Sequence, residues 1–271
     1  MTRLSCTRAA ASVLAVVGTF AAAALPAQAT IKYAPVATRY HLISVITRSQ
    51  EQGGQKTEFK ITNEQQVSVQ LSEHGKDTLD FAYTLDSSRV VSNPPVQLPD
   101  VSRLAGTKVN GSMSRSGKVY AVTSNAAADN ADAKNLIEGM SKFLLVLPEN
   151  AAVGSSWTDT TVNSVGREGN NLDMSSITTS RVVGDTTYQG QKAWRVQRTS
   201  VLALNGNQSQ SGQALRVEGA GTGSGMYYVS TAGVYLGSFA SQSMNLQITI
   251  PATGEKVPVK QAVTSTVELL K

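Results

Sequence analysis

Few side chains in this 271-residue chain are equipped for chemistry, and their spacing does not assemble them into a site. Its two histidines, His41 and His74, have no cysteine or further ligand at metal-motif spacing, so a zinc centre is not expected. A serine nucleophile on a sharp turn needs Gly-x-Ser-x-Gly between a strand and a helix, and that pentapeptide is absent. Gly221-Thr222-Gly223-Ser224-Gly225 has the glycines at other positions and lies between β-patterned segments, so it is neither a nucleophile elbow nor a phosphate cradle. Asp77 and Asp80 would point to opposite faces of a strand, which suits no acid/base pair. Asp129 and Asp132 are better explained as a helix start. The expectation is a protein without catalytic residues, metal or cofactor, and hence not an enzyme. What remains is aromatic. Trp157 and Trp194 are candidate anchors for a core or a ligand, and Tyr227-Tyr228 puts one ring on each face of its strand.

The N-terminus carries an address. Arg3 and Arg8 precede an apolar run from Val13 to Leu25, then Pro26 and an Ala27-Gln28-Ala29 cleavage site. Residues 1–29 therefore read as a secretory signal peptide, too short to serve as an ordinary transmembrane helix. The one cysteine, Cys6, precedes the apolar run, where a lipid-anchoring cysteine should follow it. The mature chain is expected to be exported, periplasmic or secreted, without disulfide or lipid anchor. No later apolar stretch is long enough to span a membrane as a helix. Removing the leader takes two positive charges and no negative one, lowering the formal net charge from +5 to +3. Lys and Arg are scattered, so no nucleic-acid partner is expected.

The elements that would position the aromatics are mostly strands. Between Thr38 and Val91 apolar and polar residues alternate around Tyr40, Phe59, Val67–Leu71 and Leu79–Leu85, which predicts four short antiparallel strands. Turns fall at Gly53-Gly54 and His74-Gly75. Pro94, Pro95 and Pro99 mark a crossing loop, and a hairpin follows around Ser116-Gly117. One amphipathic helix is predicted over 132–147. Ala133, Leu136, Ile137, Met140, Phe143, Leu144 and Leu147 lie on one face of it, and Glu138 and Lys142 pair on the other. Gly139 inside it suggests a close approach to a sheet. Beyond Trp157 the pattern predicts strands near 156–165, 171–183, 192–204, 212–220, 224–230, 233–245 and 257–269. Turns are expected at Gly184-Asp185, Asn205-Gly206 and Ala232-Gly233.

Two β groups thus flank a helix whose single apolar face must be covered. The predicted fold is mainly β: a strongly curved antiparallel sheet or incomplete β-barrel with the helix on its concave side. Residues 30–37 would form an N-terminal extension and 38–271 a single β-rich domain. Two similar halves are possible, 38–124 and 153–270, joined by the helix. Ser114–Tyr120 echoes Ser230–Tyr235, each after a Gly-Thr pair at Gly106-Thr107 and Gly221-Thr222.

This layout resembles the half-barrel proteins of the bacterial envelope, among them the periplasmic lipoprotein carriers. Ser116-Gly117-Lys118-Val119-Tyr120, Leu147-Pro148 and Val153-Gly154-Ser155-Ser156-Trp157 also resemble an uncharacterised family of secreted bacterial β proteins. That family implies no activity; the carriers imply, by analogy of fold, a bound lipid or other apolar ligand. The expected function is therefore non-enzymatic binding of an apolar ligand, with Leu136, Met140, Phe143, Trp157, Trp194, Tyr227 and Tyr228 as the residues that would touch it. The alternative is a structural or interaction module meeting an envelope protein through its sheet edges. An enzyme acting on envelope polymers ranks last. If the apolar helix face is core, Met140→Asp should abolish the cooperative thermal transition of the purified protein; a retained melt would remove Met140 from the core.

Overall fold

The structure, a computed structural model, describes residues 30–271 except 53, 96–97, 99, 127–130, 168–169 and 211–212. The leader and the helix-start residues Asp129 and Asn130 lie outside the described residues. Alternating apolar residues draw the chain into eleven strands. They are β1 (Val36–Gln52), β2 (Gln55–Glu73), β3 (Thr78–Asn93), β4 (Lys108–Ser114), β5 (Val119–Ser124), β6 (Ser156–Arg167), β7 (Asn170–Tyr188), β8 (Gln191–Gln210), β9 (Gln213–Ser230), β10 (Tyr235–Ile250) and β11 (Glu255–Leu270). Together they form a single antiparallel sheet in the order β5-β4-β3-β2-β1-β11-β10-β9-β8-β7-β6. Two meanders, β1–β5 and β6–β11, meet along one seam, where β1 pairs with β11 from Arg39 opposite Leu270 to Gln50 opposite Val259. β5 and β6 are its edges and do not pair with each other, so the barrel stays open.

The strands run longer than local sequence suggests. Residues 55–73 form one strand where two were expected, and so do 213–230. Gly184-Asp185 and Asn205-Gly206 are not turns. Gly184 sits at a register shift within β7, and Gly206 lies inside β8, where a Cβ would come within 1.9 Å of the Asn171 carbonyl oxygen. Gly206 serves close strand contact, whereas a Cβ at Gly184 would meet nothing within 4 Å; ladder pairing on either side carries the chain through both. The Gly221–Gly225 stretch likewise runs straight through β9.

One helix, α1 (Ala131–Ser141), crosses between the meanders, and it is shorter than the periodicity predicts. Glu138 and Lys142 form the expected ion pair at 2.6 Å. Past Ser141 the chain leaves the helix because tertiary partners take over its backbone groups. The Leu147 N–H donates to the Ser116 carbonyl at 2.8 Å, and the Leu145 carbonyl accepts from the Tyr33 hydroxyl at 3.0 Å. In this extended run Leu144, Leu145 and Leu147 are buried while Val146 is exposed. Gly139 marks no close approach, since a Cβ there would meet nothing within 4 Å.

Residues 30–35 strap one end of the sheet, with Ile31 and Tyr33 each 1% exposed. The backbone N–H groups of Ile31, Tyr33 and Ala34 donate to the carbonyls of Ala151, Arg115 and Gly233. Two hairpin turns grip this strap, and they share one hydrogen-bond pattern. In Ser114–Lys118 and in Ser230–Val234 the serine Oγ accepts the N–H four residues on, and a glycine N–H returns to the serine carbonyl. Gly117 and Gly233 have φ of 90° and 83°, a region that favours glycine. A Cβ at Gly117 would press Tyr33, and one at Gly233 would press Lys32 and Ala34. The two Gly-Thr pairs do not correspond: Gly106-Thr107 precedes β4, whereas Gly221-Thr222 is within β9. Tyr33→Phe leaves the buried Leu145 carbonyl without its donor and should cost about 1–2 kcal/mol, read as a lower urea midpoint at unchanged m-value.

Candidate functional site

Residues paired across antiparallel strands share a face, so register places the core on one side of the sheet. Val67 and Val69 of β2 lie opposite Leu85 and Tyr83 of β3, and Tyr40 of β1 lies opposite Val67. α1 and the segment after it close over this face. The Phe143 ring stands among Tyr40, Tyr83 and Tyr235 with centroids 5.1, 5.8 and 5.5 Å away, all edge-on. Tyr40 donates its hydroxyl to the Tyr235 carbonyl at 2.8 Å, and the Tyr235 hydroxyl meets Ser238 Oγ, also at 2.8 Å.

This packing leaves a cavity of about 380 Å³ between α1, the 3₁₀ turn Ser102–Leu104 and strands β1 to β3. Leu42, Val67 and Tyr83 form its sheet wall, and Leu136, Met140 and Phe143 its helix wall; Val101, Leu104 and Gly139 complete the apolar lining. Asn63, Gln65 and Ser88 add a polar margin, where Gln65 Nε2 donates to Ser88 Oγ at 3.4 Å. Among the described residues, the Tyr83 phenol is the one ionisable group in its lining. Such a space can hold apolar atoms and orient one polar group.

Three of the seven residues singled out from the sequence, Leu136, Met140 and Phe143, come together at this cavity. Trp157, Trp194 and Tyr227 are half-buried against the same core but do not line the cavity. Tyr227 lies under the Arg198 guanidinium, whose carbon is 5.3 Å from the ring centroid. Tyr228 occupies the opposite face and stacks on Tyr188 at 3.9 Å. It shares no site with Tyr227. The histidines pair with carboxylates at the surface, His41 with Glu64 at 2.8 Å and His74 with Asp80 at 3.0 Å. Leu42, Val67, Tyr83 and Leu104 were not foreseen as lining residues, since strand register brings the first three under α1 and the loop after β3 brings Leu104.

No protein-family model matches the chain, and no curated protein is similar to it in sequence. Solved structures with a similar arrangement include DynF of the dynemicin biosynthesis pathway of Micromonospora chersina, with 10% identity over 91% of this chain and 86% of that chain (TM-score 0.24). A DUF1329 family protein of Desulfovibrio piger has 9% identity over 87% and 85% (TM-score 0.22). A putative outer membrane lipoprotein-sorting protein domain of Vibrio parahaemolyticus has 9% identity over 85% and 83% (TM-score 0.21). At these scores the likeness extends to neither family nor activity.

The buried phenols make a testable pH signature. Burial pushes Tyr40 up to about 12 and raises Tyr33, Tyr83 and Tyr235 as well. The fold therefore favours the neutral phenol. This contribution is intact below the ordinary phenol value of about 10 and is lost as pH rises through the raised values. In alkaline titration, phenolate absorbance from these buried rings should appear together with loss of the β circular-dichroism signal. Ionisation of all eight tyrosines with the fold retained would contradict the burial.

Proposed function

We propose that this protein is a non-enzymatic, exported binding protein for an apolar or lipid-like ligand, seated beneath α1 on the inner face of the sheet. One observation carries the reading: the core, packed elsewhere around Phe143, leaves an apolar space of about 380 Å³ bounded by a helix. That volume falls within the range of small-molecule sites, about 300–1,000 Å³. The polar margin of Asn63, Gln65 and Ser88 would orient a ligand by one hydrogen-bonding group. The leader-like residues 1–29 support export to the periplasm or the medium.

A second reading rests on the edge strand β6, twelve residues long and paired on one side only. An extended segment of an envelope protein could add to it by β-augmentation.

Native mass spectrometry after detergent-free purification should show a co-purifying lipid-sized mass. Nile red should bind the emptied protein, and Leu136→Trp should fill the space and weaken that binding by about tenfold, equivalent to ~1.4 kcal/mol, with little change in melting temperature. Undiminished binding in that variant would remove the cavity from the function.

A further inference from the structure

The polar margin of the cavity beneath α1 is built from amides and a hydroxyl, and strand parity is the reason. Successive residues of a strand face opposite sides of a sheet. Asn63 and Gln65 of β2 turn inward, opposite Ser44 and Leu42 of β1, and Ser88 of β3 lies opposite Gln65. Glu64, between the two amides, turns outward, where it pairs with His41 at 2.8 Å and lies opposite Arg89. Glu138 and Lys142 pair with each other at 2.6 Å in an exposed position, and Lys134 is exposed as well. On the 3₁₀ turn, Arg103 is exposed between Val101 and Leu104, and its charge acts on Asp100, which accepts hydrogen bonds from Ser102.

What faces the space is therefore neutral. Gln65 Nε2 donates to Ser88 Oγ at 3.4 Å, which leaves Gln65 Oε1 to accept and the Ser88 hydroxyl to donate. Asn63 Oδ1 is buried without a hydrogen-bond partner among the described residues, and turning the carboxamide over exchanges it with Nδ2 at almost no change of shape. The Tyr83 phenol on the sheet wall is held uncharged, because burial raises it above its ordinary value. A carboxylate or ammonium entering here meets the same penalty: it gives up water and finds no opposite charge in the lining. A hydroxyl or amide exchanges its hydrogen bonds to water for those of the margin.

We propose that the cavity beneath α1 selects an uncharged amphiphile, an apolar chain ending in a hydroxyl or amide group, over the fatty-acid anion or cationic amine of the same length. The inference rests on the apolar-ligand reading and narrows it to a ligand class. The chain lies between Leu42 and Val67 on the sheet wall and Leu136 and Met140 on the helix wall, and the head group meets Gln65 and Ser88. A fatty acid or amine enters only in its neutral form. Its apparent affinity then follows the neutral fraction, changing tenfold per pH unit, in opposite directions for the two.

Displacement of Nile red from the delipidated protein by decanol, decanoate and decylamine between pH 6 and pH 8 tests the selection. Decanol, which does not ionise, should displace the dye equally across the range and reports any pH effect of the protein itself. Decanoate should weaken about tenfold for each unit of rising pH, and decylamine should strengthen by the same factor. Gln65→Lys places a cation at the margin and should strengthen decanoate at pH 8 by about tenfold, as expected for a hydrogen bond between charged groups. Leu104→Lys serves in its place if that variant does not fold. Nile red binding that Leu136→Trp leaves undiminished, or that decanol does not displace, overturns the apolar-ligand reading and this inference with it. The uncharged-ligand inference alone falls if decanoate or decylamine competes as well as decanol at every pH. It falls equally if folded lysine variants leave decanoate as weak as in the parent protein.

Discussion

The edge-on packing of Phe143 among Tyr40, Tyr83 and Tyr235 is the contact on which the rest of the structure depends. An open sheet has one apolar face to hide, and here a short helix and two extended segments must hide it. Phe143 stands where the helix ends, and its three partners come from β1, β3 and the start of β10, so a single ring ties the connection to both meanders. The aromatic edges and faces add directional attraction to area burial. The cavity beneath α1 exists because this ring props the helix at a fixed distance from the sheet.

Much of the architecture was legible in the residues. Strict alternation at Val67–Leu71 and Leu79–Leu85 located the inner face, and the two Ser-x-x-Gly turns were read correctly as hairpin turns. Strand length was not legible. Glycine and amide-rich stretches such as Gly221–Gly225 and Asn205-Gly206 look like turns locally, and only ladder bonds to neighbours on both sides keep them extended. The helix was overextended for a related reason. Leu144 and Leu147 fit a 3.6-residue period as well as they fit extended burial, and the partners that decide the matter, Ser116 and Tyr33, are remote in sequence.

The candidate site was legible in part for the same physical reason. Leu136, Met140 and Phe143 were identifiable because a helix puts its apolar residues on one side. Their opposite wall comes from three strands and a loop. That wall follows from strand register, which nothing in Leu42, Val67 or Tyr83 taken singly announces.

The seam between β1 and β11 has a consequence for assembly order. Each meander is built from neighbours in sequence, so its hairpins need only short loops to close. The seam joins residues more than two hundred positions apart, and the Tyr40–Tyr235 hydrogen bond spans 195. Contacts of such separation carry a large closure entropy and form late. Until β10 arrives, the rings around Phe143 lack Tyr235, and until β11 follows, β1 has only β2 beside it. The two meanders are therefore joined into one sheet only when β11 pairs with β1, however early their own hairpins close.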